Sequence, residues 1–230
     1  MKKRIILSIF ALVLVAVAAS AGVGVGLSAA RAQTVLPTIF LTWQAASYVP
    51  QGYAGKALPI SDTRVTVAAD LIDKGTRVDL SSMNILWYLN DVFYQGGVGM
   101  VRASFTAPHY VGPTSVKVRV FIPDYTGGPG KTIVVPVTTP QITINSSAPD
   151  LSAAAVPFRV TANPYFFNVK DPSALFYNWS LNNAGVGSGQ TLTVTRDMAQ
   201  NGSATLEVQA GNPAQAIERT LKDITLFPGT

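Results

Sequence analysis

The sequence predicts an all-β protein made of two tandem antiparallel β-sandwiches, and three observations lead to this class. Apolar and polar residues alternate with period two in several short segments, of which Val116 to Ile122 is the clearest. This alternation is typical of a strand that packs on one face only. Turn residues recur at short intervals, as in Gly127 to Gly130 and Gly211 to Pro213. No stretch after Gln33 has a long period of 3.6 residues, which argues against helices.

The first 32 residues have the pattern of an export signal. Three basic residues, Lys2 to Arg4, precede an uncharged segment of 22 residues from Ile5 to Gly26. Ala30-Arg31-Ala32 then fits the small-residue cleavage pattern of secretory signals. The uncharged segment is longer than a usual signal core of about 7–15 residues and close to the roughly 20 that span a bilayer. Its second half is rich in Ala and Gly, so we expect cleavage before Gln33, with an uncleaved anchor helix over 5–26 as the alternative.

This segment also sets the expected location and explains the net charge. Four of the 17 basic residues but none of the 12 acidic ones lie in the first 32 positions, so the formal net charge of +5 belongs mostly to that segment. The basic residues that follow are scattered singly, without a patch that could track phosphates. We therefore expect no nucleic-acid partner and an extracellular or cell-envelope location. The membrane would be contacted only through the N-terminal segment, if that segment is retained.

A repeat accounts for the rest of the chain. Asn84 to Asp91 resembles Phe176 to Asn183, because each holds an apolar approach, a Trp, a Leu two residues later and a polar pair. Trp179 follows Trp87 after 92 residues, and a Gly-rich stretch and further alternating segments come after both. This period suits a sandwich of about 100 residues.

The expected boundary between the two copies lies at Thr138 to Pro140. These residues follow the last predicted strand of the first copy and precede Gln141 to Ile144, the opening strand of the second. We therefore assign 33–138 to the first sandwich and 139–230 to the second. A linker of this length should hold the two end to end with modest freedom.

The segment from Asn178 to Asn183, followed by Gly189 to Val194, resembles the C-to-E region of bacterial immunoglobulin-like and PKD-type β-sandwich modules. Asn84 to Asp91 resembles a more divergent copy. As a whole, the chain resembles exported bacterial proteins with a signal-like N-terminus and two such modules. The resemblance implies that Trp87 and Trp179 lie in the core on strand C. It also implies adhesion, spacing or assembly at the cell surface rather than a reaction.

Candidate chemistry is sparse. The chain has no Cys and one His, which excludes disulfides, Cys-ligated metals, thiol catalysis and multi-His metal sites. His109 follows a proline and has no Gly-x-Ser-x-Gly nucleophile to serve, and Ser188 is interpreted as a turn residue between two glycines. The aspartates are scattered at predicted turns and strand ends, without the spacing of a calcium loop. We expect no catalytic, cofactor-binding or metal-binding residues, and therefore no enzyme.

Aromatic residues in predicted loops are the best candidates for binding, since such residues stack on sugars or anchor protein partners. They are Tyr48, Tyr53, Phe93, Tyr94 and Tyr125. The sequence leaves Trp43 open between a core and an interface position.

The predicted function is that of a non-enzymatic cell-surface binding, adhesion or spacer protein with an unknown protein or glycan partner. Recognition would use loops on a rigid scaffold or strand addition at a sheet edge. One alternative is a carbohydrate-binding module, favoured if Tyr48, Tyr53, Phe93 and Tyr125 form one exposed platform. Another is a hydrolase with an atypical site, which needs a pocket holding at least two convergent titratable groups.

Overall fold

The computed structural model describes residues 36–148, 151, 157–199 and 203–226. Within these ranges the chain is almost entirely β: fifteen strands accompany one 3-10 turn (Pro172–Ala174) and a four-residue helix, α1 (Arg196–Ala199). The all-β class is therefore confirmed. The predicted signal or anchor segment, 1–32, lies outside the described residues. The helices that these residues do form are too short to cross a membrane.

Strands and turns alternate along the described chain, and most strands are five to eight residues long. The bounds are β1 Thr38–Ala45, β2 Arg64–Asp73, β3 Thr76–Arg77, β4 Asn84–Leu89, β5 Val92–Val98, β6 Arg102–Thr106, β7 Thr114–Phe121, β8 Gly130–Val137, β9 Gln141–Ser146, β10 Phe158–Tyr165, β11 Phe176–Leu181, β12 Ala184–Ser188, β13 Thr191–Val194, β14 Ala204–Gly211 and β15 Arg219–Leu226.

The strands form four antiparallel sheets that fall into two pairs with one strand order. The first pair consists of β1-β2-β6, with the short β3 beside β2, and of β5-β4-β7-β8. The second pair consists of β9-β10-β13 and β12-β11-β14-β15. Lettered in chain order, each pair has strands A, B and E in one sheet and C′, C, F and G in the other. Immunoglobulin sandwiches share the A-B-E and C-F-G sets, so the fold is immunoglobulin-like.

Each sheet pair encloses its own hydrophobic cluster, because alternation along a strand sends every second side chain between the sheets. In the first cluster the four apolar residues that alternate from Val116 to Ile122 are buried, as the period predicts, and Trp87 lies beside them. In the second cluster, alternate residues of β14 pack with Trp179. Burying one Val or Leu side chain contributes about 1.5–3 kcal/mol, so these clusters are the main source of stability.

The β4-β5 and β11-β12 hairpins are built alike and account for the repeat in the sequence. Asn90 and Asp91 close the first with φ of 49° and 66°, and Asn182 and Asn183 close the second with φ of 47° and 69°. Positive φ at both central residues is typical of a type I′ turn, which suits the twist of a two-residue hairpin. Asn and Asp tolerate this backbone region better than most residues. This preference explains why a polar pair follows the Leu in each copy.

Each of these hairpins also contains a β-bulge at the same place. The register shifts between Trp87 and Tyr88 in β4, and between Trp179 and Ser180 in β11. One residue of each partner strand therefore has no register partner. In β5 this residue is Tyr94, and β12 has its counterpart at the same place. A bulge of this kind bends the edge strand and redirects the side chains beside it.

Candidate functional site

Trp87 and Trp179 lie inside the first and second clusters, with 0% and 1% of their surface exposed. Each indole N–H donates to a main-chain carbonyl, from Trp87 Nε1 to Met100 O at 2.8 Å and from Trp179 Nε1 to Gly189 O at 2.8 Å. A buried N–H without an acceptor would cost about 1–3 kcal/mol. Trp43, left open by the sequence, is partly buried against the first cluster. The tryptophans are therefore structural, and candidate binding groups lie on the surfaces around them.

The outer face of the β5-β4-β7-β8 sheet carries a patch that we call the platform, formed by Leu86, Tyr88, Phe93, Arg119 and Phe121. The register places Tyr88 between Phe93 and Arg119, and Leu86 beside Phe121. The Tyr88 and Phe93 rings meet edge to face with centroids 5.8 Å apart, and the Arg119 guanidinium lies 4.1 Å from the Tyr88 ring centroid. Aromatic pairs and stacked cations each contribute about 0.5–1.5 kcal/mol. These side chains therefore form one ordered surface that points away from the core.

Two glycines without side chains allow neighbouring side chains of the platform to lie close to the sheet backbone. A Cβ at Gly96 would meet Leu86 Cδ2 at 2.7 Å, and a Cβ at Gly128 would meet the Phe121 ring at 3.2 Å. The Leu86 and Phe121 side chains thus lie over positions that have no side chain of their own. Small molecules bind mostly in concave pockets, so a low apolar face of this kind suits contact with another macromolecular surface.

Arg119 brings an unpaired positive charge to the platform. Its neighbour Lys117 is paired with Asp91, Nζ to Oδ2 at 2.6 Å, and that hydrogen bond holds the pKa of Asp91 below its ordinary value. The charges of Lys117 and Arg119 act on Asp91 in the same direction. Arg119 makes no ion pair within the described part of the chain, and its Nε is buried without an acceptor. Because Nε is buried, a carboxylate from outside would have to bind this guanidinium through its Nη groups.

The second sheet pair carries different residues at the same positions. Its register places Asn178, Ser180, Gly185, Glu207 and Gln209 where the first pair has Leu86, Tyr88, Phe93, Arg119 and Phe121, in that order. The two copies thus share the core and the turn and differ on the outer face. Because both hairpins meet the same structural needs, folding alone does not call for the aromatic residues of the platform.

β5 is an edge strand of its sheet, and it is unusually apolar for that position. Val92, Phe93, Tyr94 and Val98 are 69%, 57%, 42% and 69% exposed, and the strand contains no charged residue. Natural edge strands are usually protected by charges, prolines or bulges. Here the protection comes from the bulge at Tyr94, whose hydroxyl also donates to Ser104 O at 2.8 Å. The bulge disfavours strand addition, so β5 is better suited to contact through its side chains.

The two sheet pairs meet at a buried polar junction around Asn168 and Glu218. Asn168 Nδ2 donates to Glu218 Oε1 at 2.6 Å and to Ser61 O at 2.9 Å, while Asn168 Oδ1 accepts from Thr63 Oγ1 at 2.6 Å. Glu218 is 1% exposed, and its Oε2 accepts from Asn212 Nδ2 at 3.0 Å and from Asn168 N at 3.1 Å. Three N–H donors therefore satisfy a carboxylate that would be costly to bury alone. Because Ser61 and Thr63 belong to the first pair, the network ties the two pairs together.

Aromatic residues extend the junction. Tyr48 and Phe167 form an isolated antiparallel bridge, with Tyr48 N donating to Phe167 O and Phe166 N donating to Tyr48 O, both at 2.7 Å. Phe166 is buried and has a φ of 62°, which is rare for a bulky residue and persists only where its surroundings enforce it. Tyr53 packs at the rim, with its ring centroid 5.5 Å from that of Tyr165 and 6.0 Å from that of Phe166. Tyr48 and Tyr53 therefore contact the second sheet pair and lie apart from the platform.

The aromatic residues predicted from the sequence thus fall on different surfaces. Phe93 belongs to the platform and Tyr94 lies beside it. Tyr48 and Tyr125 are both partly buried. Tyr125 packs against the first cluster, and its hydroxyl donates to Asp73 Oδ2 at 2.7 Å, a hydrogen bond that raises the pKa of Tyr125. The four residues whose assembly into one exposed platform would favour a carbohydrate-binding module therefore lie on different surfaces.

The candidate catalytic residues do not converge. His109 Nδ1 lies 2.7 Å from Asp62 Oδ2 at the surface. A His-Asp pair acts as a general base only with a nucleophile at the other ring nitrogen, and the hydrogen bonds of the described residues place none there. Ser188 belongs to β12, where it pairs with Asn178. Within the described ranges, no group of three His, Asp or Glu side chains could hold a metal ion.

A cleft beside β2 and β3 is lined by two aspartates, Asp70 and Asp79. Asp70 in its wall is paired with Arg77, Nη2 to Oδ1 at 2.5 Å. Asp79 accepts hydrogen bonds from the main-chain N–H and the hydroxyl of Ser81, both at 2.9 Å, and these bonds lower the pKa of Asp79. Both carboxylates are therefore engaged within the chain, and the geometry offers no argument for acid–base catalysis there.

Sequence reasoning found Phe93 and Tyr94 but missed the rest of the platform and the whole junction. The signal that could have revealed the platform is the contrast between the two copies. Leu86 and Tyr88 flank the first tryptophan, whereas Asn178 and Ser180 flank the second. The junction has no comparable signal, because its residues are far apart along the chain.

No family model and no curated protein matches the chain. Solved structures that are similar to it include the following three. The fibronectin(III)-like modules of Clostridium thermocellum CbhA share 16% identity, cover 82% of this chain and 93% of their own, and give a TM-score of 0.30. Three N-terminal domains of the bacteriophage RB49 Highly Immunogenic Outer Capsid protein share 14% identity, cover 83% and 58%, and give 0.40. The central fibronectin-III array of RIM-binding protein shares 13% identity, covers 75% and 67%, and gives 0.27.

The class of the protein follows from the strand order. One arrangement, A-B-E with C′-C-F-G, occurs in both sheet pairs, together with a matching hairpin, bulge and buried tryptophan. The chain is an immunoglobulin-like β-repeat protein. In an antibody constant domain strand D pairs with E, whereas here the corresponding edge strand, C′, pairs with C.

Proposed function

We propose that the protein is a non-enzymatic, exported binding or spacer protein whose two immunoglobulin-like modules, 33–138 and 139–230, act as one rigid body. The observation that carries this proposal is the junction, a buried and hydrogen-bonded contact between the two sheet pairs. Modules that merely follow each other along a chain move relative to one another unless a substantial interface holds them. A fixed arrangement keeps a binding surface at a constant distance and angle from the point of attachment.

The platform supports a binding role within this proposal. Protein interfaces are rich in Tyr, Phe and Arg, and residues of these types carry much of the binding energy. The platform combines Tyr88, Phe93, Phe121 and Arg119 on one outer face. We therefore propose that the partner is a protein at the cell surface.

A glycan partner has less support, because two of the four aromatic residues that a sugar platform would require are engaged elsewhere. The hydroxyl of Tyr125 is bonded to Asp73, and Tyr48 forms part of the junction. Screening the protein on a glycan array, beside its Phe93→Ala variant, separates the two partners. Glycan binding that depends on Phe93 would favour the carbohydrate-binding alternative.

We also infer export, directed by residues 1–32. The basic start, the uncharged segment over 5–26 and the Ala30-Arg31-Ala32 pattern support this inference. The intact mass of the exported product distinguishes cleavage before Gln33 from retention of a membrane anchor.

Rigidity is tested by measuring distances between two spin labels, one on each module. The chain has no cysteine, so Ser115→Cys in β7 and Thr193→Cys in β13, both exposed, give unique labelling sites. We expect a single narrow distance distribution by double electron–electron resonance. Asn168→Ala should broaden it, because the substitution removes the side-chain bonds to Ser61, Thr63 and Glu218.

The matched control is Asn163→Ala. Asn163 lies on β10 in the same module, and its side chain donates only to Thr161 O within its own strand. This substitution should leave the distance distribution unchanged. A broad distribution in the unsubstituted protein would contradict the proposal of one rigid body.

A further inference from the structure

We propose that the platform of one molecule binds the outer face of the β12-β11-β14-β15 sheet of a second copy of the chain, in a head-to-tail contact. We call this second surface the acidic face. The inference rests on the proposed function in that an ordered contact between copies requires two modules held in a fixed relation.

The acidic face carries two carboxylates that no basic side chain in the described ranges compensates. Glu207 on β14 lies directly opposite Asp223 on β15. Like charges opposite each other destabilise a sheet. No Lys or Arg of the described residues pairs with either carboxylate. The nearest basic group along that face is Arg219, two register rows away, where it stacks on Phe176 with its guanidinium carbon 5.8 Å from the ring centroid. The two carboxylates therefore attract a cation from outside.

Arg119 on the platform is the matching charge. It occupies the same register position in β7 that Glu207 occupies in β14, with Tyr88 or Ser180 on the neighbouring strand. Because both faces have the same sheet geometry, stacking one on the other can place the guanidinium against the Glu207 and Asp223 carboxylates. Charge-assisted hydrogen bonds between guanidinium and carboxylate are among the strongest in proteins.

Apolar contact accompanies the charges. In the row next to Arg119, the platform presents Leu86 and Phe121. In the row next to Glu207, the acidic face presents Leu221, which is 60% exposed and lies opposite Gln209. One chain thus supplies both an unpaired cation beside apolar residues and an unpaired acidic pair beside an exposed leucine. A second copy satisfies both surfaces, whereas a partner for the platform alone leaves the acidic pair unexplained.

The contact should be weak. A face of four strands, spaced about 4.8 Å apart, presents only a few hundred Å² over three rows of side chains. Stable protein interfaces bury about 800 Å² on each partner. A micromolar or weaker dissociation constant is therefore expected, which suits copies concentrated on one surface. The contact is heterologous, so it produces a closed dimer if both faces point to the same side and an open chain if they do not.

Sedimentation velocity of the purified full chain from ~10 to ~500 µM tests the contact. We expect concentration-dependent association that weakens with added salt, because exposed charges are screened. Arg119→Glu and Glu207→Arg should each weaken association about tenfold or more, because each brings like charges together. An equimolar mixture of the two variants should restore association, since every platform then finds an oppositely charged face.

The matched control is Arg159→Glu, the same charge change at an exposed arginine of β10 on the other sheet. It should associate like the unsubstituted protein. Monomeric behaviour over the whole range, or equal association of the Arg119→Glu and Arg159→Glu variants, overturns the proposal. Either result leaves the rigid two-module function standing, because the spin-label distances report on the two modules within one molecule.

Discussion

Single buried residues in this protein show how polar groups are satisfied inside a β-sandwich. Tyr177 on β11 is 3% exposed, and its hydroxyl donates to Pro172 O at 3.0 Å. Burial raises the pKa of Tyr177 well above its ordinary value, and the charges of Tyr48 and Asp171 add to the rise. Ionisation of this hydroxyl is therefore disfavoured in the folded state and ordinary in the unfolded state.

This difference predicts a loss of stability in alkali. The pKa is raised on folding, so the contribution of Tyr177 is fully present below about pH 10 and is lost as the pH rises toward the folded pKa. Tyr177→Phe should lower the free energy of unfolding by about 1 kcal/mol at pH 7, because it leaves Pro172 O without its donor. Above pH 10 the variant should lose stability less steeply with pH than the unsubstituted protein.

Urea unfolding at several pH values from 7 to 11 measures both effects. Tyr110→Phe is the control, since Tyr110 is 59% exposed and only its main-chain groups are hydrogen-bonded. It should follow the unsubstituted protein at every pH. Parallel curves for Tyr177→Phe and the unsubstituted protein would refute the assignment of the alkaline loss to Tyr177.

At the scale of elements, the two matching hairpins show that turn chemistry sets the strand register. Asn90 Oδ1 accepts from Lys117 N, and Asn182 Oδ1 accepts from Thr205 N, each at 2.9 Å. The first residue of each turn thus ties its hairpin to the neighbouring F strand. The second residue, Asp91 or Asn183, has no such bond to the main chain, although Asp91 pairs with the Lys117 side chain.

Substitutions in the second hairpin should therefore act in opposite directions. Asn182→Ala loses the bond to Thr205 N and strains a φ of 47°, so we expect a destabilisation of about 1–2 kcal/mol. Asn183→Gly relieves a φ of 69° and creates the Asn-Gly pair favoured in type I′ turns, so we expect a gain of about 0.5 kcal/mol. Urea unfolding checks both values. A shift of the same sign in the two variants would rule out the type I′ explanation.

The hairpins were predictable because their determinants are local. In each copy, a tryptophan, a leucine and a polar pair lie within eight residues of sequence. The structural role of each depends on residues close to it along the chain. The buried side chains among Val116 to Ile122 were predictable for the same reason, because the alternation of apolar and polar residues indicates which face of the strand is buried. Exposure in loops has no such rule. Tyr125 was expected at the surface because a glycine-rich turn surrounds it, yet that turn brings its hydroxyl to Asp73, 52 residues away along the chain.

For the molecule as a whole, the junction is the feature that sequence could not give. The side-chain bonds of Asn168 to Thr63 and Ser61 span 105 and 107 residues of chain. No periodicity or spacing marks such a pair. The chain has two glutamates, and their sequences give no sign that Glu218 is buried while Glu207 lies on an outer face. Their roles differ because Glu218 lies in a loop that contributes to the junction, whereas Glu207 lies within a strand.

The two glutamates offer a direct comparison. Glu218→Gln should lower the free energy of unfolding by about 1–3 kcal/mol, because an NH₂ group then faces N–H donors of Asn168 or Asn212. Glu207→Gln should change it by less than about 0.5 kcal/mol, as is usual for surface positions. Urea unfolding at low protein concentration measures both. Equal effects would show that the buried carboxylate has no special role in joining the sheet pairs.

The twin hairpins have a further consequence for the newly made chain. Two hairpins with the same turn type and the same bulge position can exchange places during folding, which is a known route to misfolding in proteins made of similar neighbouring domains. Exchange here would move Leu86 and Tyr88 beside Gln209 and Glu207, and would take Arg119 away from the ring on which it stacks. The wrong pairing therefore loses contacts that the right pairing keeps. Divergence of the two exteriors protects each half from capturing the strands of the other.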